Sequence, residues 1–229
     1  FVTTAIFVGA LALVNGGLKS EIDNNILRAE RSSILSALGI EHDRNSLEDI
    51  NPKYESIDIR YYQKVSEGQY QDISSEIDSP EDWNARLTFS VDPTEYEVLY
   101  YVNQPGSEGL IAKRFTGAGL WGQIEGVLTV NSSVTRTRGL EIISHNETPG
   151  LGARITQDPF RNQLNDEAIV GAAGVQVLKP KEGASADEVD RDDGVIDAIT
   201  GATRTSDAMS DIFRKSISVL RAIEGESNE

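Results

Sequence analysis

The stretch Asp197-Ala198-Ile199-Thr200-Gly201-Ala202-Thr203-Arg204-Thr205-Ser206 holds the densest set of groups that could do chemistry in this 229-residue chain. It offers a carboxylate, a guanidinium and several hydroxyls around Gly201, and a helical pattern begins at once after it. Met209, Ile212, Phe213, Ser216, Ile217, Leu220 and Ile223 recur at helical spacing, which predicts a helix over 207–223. Thr205 or Ser206 could cap that helix, and Asp207 suits its positive end. Unpaired N–H groups in a first helical turn make a seat for a phosphate; Gly201 allows close backbone approach, and Arg204 adds a cation. The chemistry on offer is anion binding at a helix start. A bare Gly-Ala-Thr turn of this kind can equally be no more than a helix cap.

Other reactive residue types narrow the choice. Cysteine is absent, so this chain has no thiolate metal site, disulfide or iron–sulfur cluster. His42 and His145 are its only histidines, too few for a histidine-built metal centre. No Ser-His-Asp or Cys-His set stands out that could activate a hydroxyl. Gly117-Ala118-Gly119-Leu120-Trp121-Gly122 matches the G-x-G-x-x-G pattern of dinucleotide sites, with Glu141 about where a ribose-binding acid would lie. That motif needs a helix opening at the glycines. Here Gln123–Val130, the turn Asn131-Ser132-Ser133 and Val134–Ile143 read as strand, turn, strand, so a Rossmann site is rejected. The glycines are instead a tight turn that exposes Leu120 and Trp121. A net charge of −16 argues against nucleic acid as a partner. The acidic run from Asp187 to Asp193 lacks the ligand spacing and central Gly of a calcium loop and reads as a solvated loop.

Three strings together say more than any one alone. Gly119-Leu120-Trp121-Gly122, His145-Asn146-Glu147-Thr148-Pro149-Gly150-Leu151-Gly152 and Asp197-x-x-Thr200-Gly201-Ala202-Thr203 resemble, in this order, three signatures of the FMN-binding domain family. The resemblance implies that Thr203 carries FMN through a phosphoester bond, with Asp197, Thr200, Gly201 and Ala202 in register around it. It implies cofactor-pocket roles for Glu147, Thr148 and Leu151, and sets Leu120 and Trp121 against the flavin ring. Arg204 would supply positive charge, and Thr205 belongs to the helix start that receives the phosphate. The family also has a lysine near FMN on the strand before the motif; Lys179 and Lys181 are the candidates, Lys179 the nearer to the strand. Within the family the pattern resembles the C subunits of Na+-translocating NADH:quinone oxidoreductases, with the G subunits of Rnf-type complexes as the near alternative. The implied role is electron relay between membrane subunits of a complex that couples NADH oxidation to ion export. Threonine is unreactive by itself, so attachment implies a separate flavin transferase that takes FMN from FAD with a divalent cation. A membrane-anchored scaffold without cofactor is the alternative from another class.

Several elements must position these loops. Phe1 to Leu18 carries no charge and is apolar or small apart from Thr3, Thr4 and Asn15, which predicts a transmembrane helix over 1–18. The chain opens on Phe1 rather than Met, which suggests that the span continues upstream. The soluble part is then expected on the extracytoplasmic, periplasmic side of a bacterial inner membrane, anchored by a single pass. Glu21 to Leu38 reads as an amphipathic helix ending near Gly39. Residues 46–92 give thin signals, with strand-like pieces at Ile57–Tyr62 and Ala85–Val91, and read as an irregular extension. Tyr96–Val102, the turn Pro105-Gly106-Ser107 and Leu110–Phe115 form a hairpin, and 155–164 leads into a short helix. Ala168–Leu178 reads as a strand interrupted by glycines. The expected architecture is α+β: an antiparallel sheet with flanking helices, preceded by the N-terminal transmembrane helix. Three regions follow, namely the span 1–18, a juxtamembrane helix and extension 19–104, and an FMN-binding domain 105–225.

Overall fold

The structure, a computed structural model, describes residues 2–79, 95–103, 108–179 and 190–226. Its centre is a six-stranded, wholly antiparallel sheet of β1 (Asp58–Ser66), β2 (Gln69–Asp72), β3 (Tyr96–Val102), β4 (Leu110–Ala118), β5 (Gln123–Asn131) and β6 (Thr137–Ser144). The strands lie in the order β2-β1-β3-β4-β5-β6. Alternation divides their side chains between two apolar layers. Ile111, Phe115, Leu128 and Val130 point to one face, while Ala112 and Val127 point to the other.

Each face is covered by a helix. On one side lies the C-terminal end of α1 (Val2–Ala37), whose Ile34 and Leu35 pack with Leu38 and with Ile50 of α2 (Leu47–Glu55). On the other lies α4 (Thr203–Glu226), presenting Met209, Ile212, Phe213, Ile217, Leu220 and Ile223. Those α4 residues follow the periodicity read from the sequence. Where the helices come closest the sheet has no side chain. A Cβ on Gly139 would sit 2.7 Å from the Ala37 carbonyl oxygen, and one on Gly117 would collide with Ile212.

The α+β class and the antiparallel sheet agree with the sequence reading, as do the hairpins that contain β3 to β6. Other parts differ. The region 46–92 is not an irregular extension where it is described: α2 forms behind a Ser46 cap, and β1 and β2 extend the main sheet. The expected strand Ala85–Val91 and the turn Pro105-Gly106-Ser107 lie outside the described residues. Residues 168–178 do not join the sheet as a strand. Val170 and Gly174 bond to each other across a tight turn, leaving only β7 (Gln176–Leu178), which pairs in parallel with β8 (Val195–Asp197) as a separate two-stranded piece. A parallel pair cannot be joined by a tight hairpin turn, and β7 and β8 are well separated in sequence. The expected short helix forms as α3 (Asp158–Arg161), flanked by 3-10 turns.

At the N-terminus one continuous helix, α1, replaces the expected pair of a 1–18 span and a separate 21–38 helix. Among the described residues no helix is long and apolar enough to cross a membrane. Helix α4 starts at Thr203, not Asp207, so Thr205 and Ser206 lie inside its first turn rather than capping it.

The segment leading to β8 is held by Glu167, which is buried and accepts the Gly194 N–H at 3.0 Å. Burial, opposed by the Gly194 hydrogen bond and helped by the nearby Asp193, leaves its carboxyl pushed up to about 7. A raised carboxyl means that the folded chain binds the proton more tightly than the unfolded chain between the ordinary carboxylate range and about 7. Stability should therefore fall as pH rises through that window, by up to roughly 1.4 kcal/mol per unit. Glu167→Gln, which keeps an acceptor for Gly194, should flatten the slope in urea midpoints measured across the window; an unchanged slope would contradict this assignment.

Candidate functional site

The three strings singled out in the sequence occupy three loops. The first, 119–122, closes the β4–β5 hairpin, with the Gly119 N–H donating to the Gly122 carbonyl at 2.7 Å. The second, 145–152, leaves the end of β6, which pairs beside that hairpin through Glu125 and Ser144. The third, 198–202, links β8 to α4. One carboxylate joins all three. Glu147 is 4% exposed, and its Oε1 accepts the N–H groups of Leu120 at 2.7 Å and Trp121 at 3.2 Å. Its Oε2 accepts the Thr205 hydroxyl at 2.5 Å. Thr205 is buried too, so the carboxylate leaves water but meets three donors, as a buried charge must.

Close approach is obligatory around this contact. A Cβ on Gly119 would lie 2.5 Å from Glu147 Oε1, and one on Gly152 would lie 2.6 Å from both Glu147 Oε2 and Thr205 Oγ1.

Two turns shape the surface above it. Thr148-Pro149-Gly150-Leu151 is closed by the Leu151 N–H to the Thr148 carbonyl at 3.1 Å, with Gly150 at φ 77°. Ile199-Thr200-Gly201-Ala202 is closed by the Ala202 N–H to the Ile199 carbonyl at 3.0 Å, with Gly201 at φ 81°. Both place glycine at the third position, where a type II turn requires positive φ. The turns touch: a Cβ on Gly201 would be 3.3 Å from Leu151 Cδ2. Ser206 ties the second turn to the helix, accepting the Ile199 N–H at 3.1 Å and donating to the Ala202 carbonyl at 3.0 Å. Upstream, Gln163 Oε1 accepts the Asp197 N–H at 2.6 Å, and Ser210 Oγ accepts the Val177 N–H at 2.8 Å, pinning β8 and β7 in place.

The outcome is an exposed surface on a buried support. Trp121 is 65% exposed, Leu151 44% and Leu120 39%, an unusual density of large apolar side chains in water. Asp197, Thr200, Gly201, Thr203, Arg204 and Thr148 are exposed as well. The first turn of α4 leaves the N–H groups of Thr203, Arg204 and Thr205 without intrahelical acceptors. Arg204 has no ion-pair partner among the described residues. Lys179 is exposed and follows Leu178, whose carbonyl accepts the Ala198 N–H at 2.7 Å; β7 thereby brings this lysine to the start of the Asp197–Thr203 turn. Lys181 lies outside the described residues.

Not every expected site residue faces outward. Ala202, Glu147 and Thr205 are buried, and the last two are spent on the contact between loops. Their role is support beneath the surface, whereas the resemblance had set Glu147 in the pocket itself. His145, Gln163 and Ser206 also hold the loops, and no pattern in the sequence marked them for that role. Glu141, the acid of the rejected dinucleotide reading, is held by Arg44 and Arg161. Strand β5 follows the 119–122 glycines where a Rossmann site would need a helix.

A flat, partly apolar ligand with an anionic tail suits this surface. Trp121, Leu120 and Leu151 offer apolar area, and the α4 start with Arg204 offers donors and positive charge for a phosphate. FMN has both parts.

Gly152→Ala should push a methyl group into Glu147 and Thr205 and lower stability by about 1–3 kcal/mol. Gly225→Ala, late in α4 and with nothing within 4 Å of the new Cβ, should be neutral or slightly stabilising. Urea unfolding of the two variants checks this, and equal effects would contradict the close packing at Gly152.

Comparison with known proteins points the same way. The FMN-binding domain family matches residues 119–218. Over 131 residues the chain is 30% identical to the G subunit of the ion-translocating oxidoreductase complex of Methanosarcina acetivorans, covering 56% of this chain and 61% of that protein. Over 198 residues it is 26% identical to the C subunit of the Na(+)-translocating NADH-quinone reductase of Chlamydia muridarum, covering 71% of this chain and 62% of that protein. This chain thus spans about three fifths of the length of both relatives. The crystal structure of the C subunit of the Na(+)-translocating NADH-quinone reductase from Parabacteroides distasonis shares the fold, with a TM-score of 0.66 and 23% identity over 90% of this chain and 96% of that one. The match to the FMN-binding domain family thus spans all three loops.

Proposed function

We propose that this chain is an electron-relay subunit of a membrane ion-translocating oxidoreductase and that it carries FMN esterified through its phosphate to Thr203. The observation that carries the proposal is the placement of Thr203: an exposed hydroxyl in the first turn of α4, next to a turn packed on Leu151 and tied through Thr205 and Glu147 to Leu120 and Trp121. Thr200 and Thr148 supply further exposed hydroxyls around the turn, and Asp197 and Lys179 flank its start. When bound, FMN would supply the electron transfer, which no side chain here can perform. The chain's own part is to seat the phosphate at the helix start, offer an apolar wall to the ring and keep Arg204 beside it.

Among the described residues no hydrogen bond joins the Thr203 hydroxyl to a base that could activate it, so a separate transferase must make the ester. In that step the Thr203 Oγ–phosphorus bond forms as the bond from the FMN phosphorus to the AMP part of FAD breaks. The hydroxyl proton goes to the transferase, and AMP leaves.

The fold shared with one C subunit and the longer alignment to another favour the Na+-translocating NADH:quinone reductase as the parent complex. The G-type relatives of Methanosarcina acetivorans and Clostridium ljungdahlii support the Rnf-type alternative. In either setting the chain would work at the bacterial inner membrane, with the flavin domain on the periplasmic side and other membrane subunits as electron partners. Copurification with a sodium-dependent NADH:quinone reductase activity separates the two complexes.

Thr203→Val, expressed with the native transferase, should lose the ultraviolet-fluorescent band of covalent flavin on a denaturing gel. Thr116→Val, at an exposed threonine outside the three strings, should keep it. A band that survives in Thr203→Val, or an unmodified intact mass in the wild-type chain, would overturn the ester assignment, and the latter would favour a scaffold without cofactor.

A further inference from the structure

The Glu147 carboxylate can join the three loops only if its own backbone is held, because the residue sits in a loop just beyond the end of β6. One contact supplies that hold. The Glu147 N–H donates to Nδ1 of His145, two residues earlier, at 3.1 Å. The ring accepts through Nδ1, which places its own proton on Nε2. This is the side-chain-to-backbone arrangement by which Asn or Asp fixes the N–H two residues on in an Asx turn, here made by an imidazole. Nδ1 of histidine and Oδ1 of asparagine are each bonded directly to Cγ, so either can occupy the same acceptor position.

Ring, backbone and carboxylate then form one chain of contacts. His145 fixes Glu147, and the Glu147 carboxylate fixes the Leu120 and Trp121 N–H groups and the Thr205 hydroxyl. Beyond them lie Thr203 on one side and the exposed Trp121 surface on the other. We propose that His145 is a positioning residue of the flavin site, acting through Glu147 to fix the Leu120–Trp121 turn relative to the first turn of α4. The flavin part rests on the function proposed above; the positioning part concerns only this chain.

The test compares the full chain with two variants of nearly the same shape. His145→Leu puts a carbon where Nδ1 stood, and His145→Asn puts an acceptor back. In the flavin-free chain, His145→Leu should speed amide exchange at Leu120, Trp121 and Glu147 by roughly ten-fold, about the factor one net hydrogen bond is worth. Val127 and Leu128 in β5 should stay as protected as in the wild type, which shows that the variant is folded. His145→Asn should return the three loop amides to near wild-type rates. In the flavin-loaded chain, His145→Leu should change the visible circular dichroism of the flavin, and His145→Asn should restore it.

Wild-type exchange at Leu120 and Trp121 in His145→Leu would overturn the proposal, as would His145→Asn behaving like His145→Leu. If His145→Leu also loses protection at Val127 and Leu128, His145→Asn alone decides, by restoring or failing to restore the loop amides. If no flavin is attached to the wild-type chain, the ester reading fails while the exchange comparison still judges the positioning role.

Discussion

A single buried carboxylate sets the relation between the three loops of this domain. Glu147 takes two backbone N–H groups from the 119–122 turn on one oxygen and the Thr205 hydroxyl from α4 on the other. Hydrogen bonds to a charged acceptor contribute about 1.5–3 kcal/mol each when complete, and a broken set leaves buried donors unmatched. The arrangement is therefore close to all-or-none. It admits no side chain at Gly119 or Gly152, and it uses up the polar groups of the loops beneath the surface. What is left facing water is apolar at Leu120, Trp121 and Leu151 and hydroxyl-bearing at Thr203.

The rest of the fold serves that placement. Strand β5 pairs antiparallel with both β4 and β6, so the 119–122 turn and the 145–152 loop issue from the same end of the sheet. Helix α4 is fixed along its length by Met209, Ile212, Phe213 and Ile217, which settles where its first turn can lie. The parallel pair β7–β8 delivers Asp197 to the start of the turn, with Gln163 and Ser210 holding its strands. Helix α1 seals the opposite face, coming so close to β6 that Gly139 cannot carry a side chain. The positive φ of Gly150 and Gly201 then lets the two turns fold over and touch through Leu151.

Local features of this architecture were legible in the sequence, and contacts between distant residues were not. The apolar spacing from Met209 to Ile223 and the alternation in β3 to β6 follow from backbone geometry alone, and both elements form as expected. Rejecting a dinucleotide site at Gly117–Gly122 also rested on local pattern, since strand signals followed the glycines. Glu147 and Thr205 are 58 residues apart, however, and no spacing rule links a loop carboxylate to a hydroxyl on a later helix. Both read as groups for a ligand, and in the fold they bond to each other. Helix α4 starts before the first apolar position of its pattern because Thr203 and Arg204 lack apolar periodicity, and the Ala202 carbonyl, which accepts the Ser206 N–H, opens the helix without a side-chain signature. Strand β1 shows in the sequence only as the strand-like piece Ile57–Tyr62, and β2 not at all, because their half-buried faces give little alternation among charged and serine-rich residues. The parallel pairing of β7 with β8 joins segments far apart in sequence, which local pattern does not encode.

The most direct test of the Glu147 contact is a double-mutant cycle in urea unfolding, using Glu147→Gln, Thr205→Val and the pair. If one hydrogen bond between these side chains locks α4 to the loops, the double variant should lose less stability than the sum of the single ones, with a coupling of about 1–3 kcal/mol. Losses that add to within roughly 0.5 kcal/mol would show that the two residues act independently, and the loops would then be held by something else.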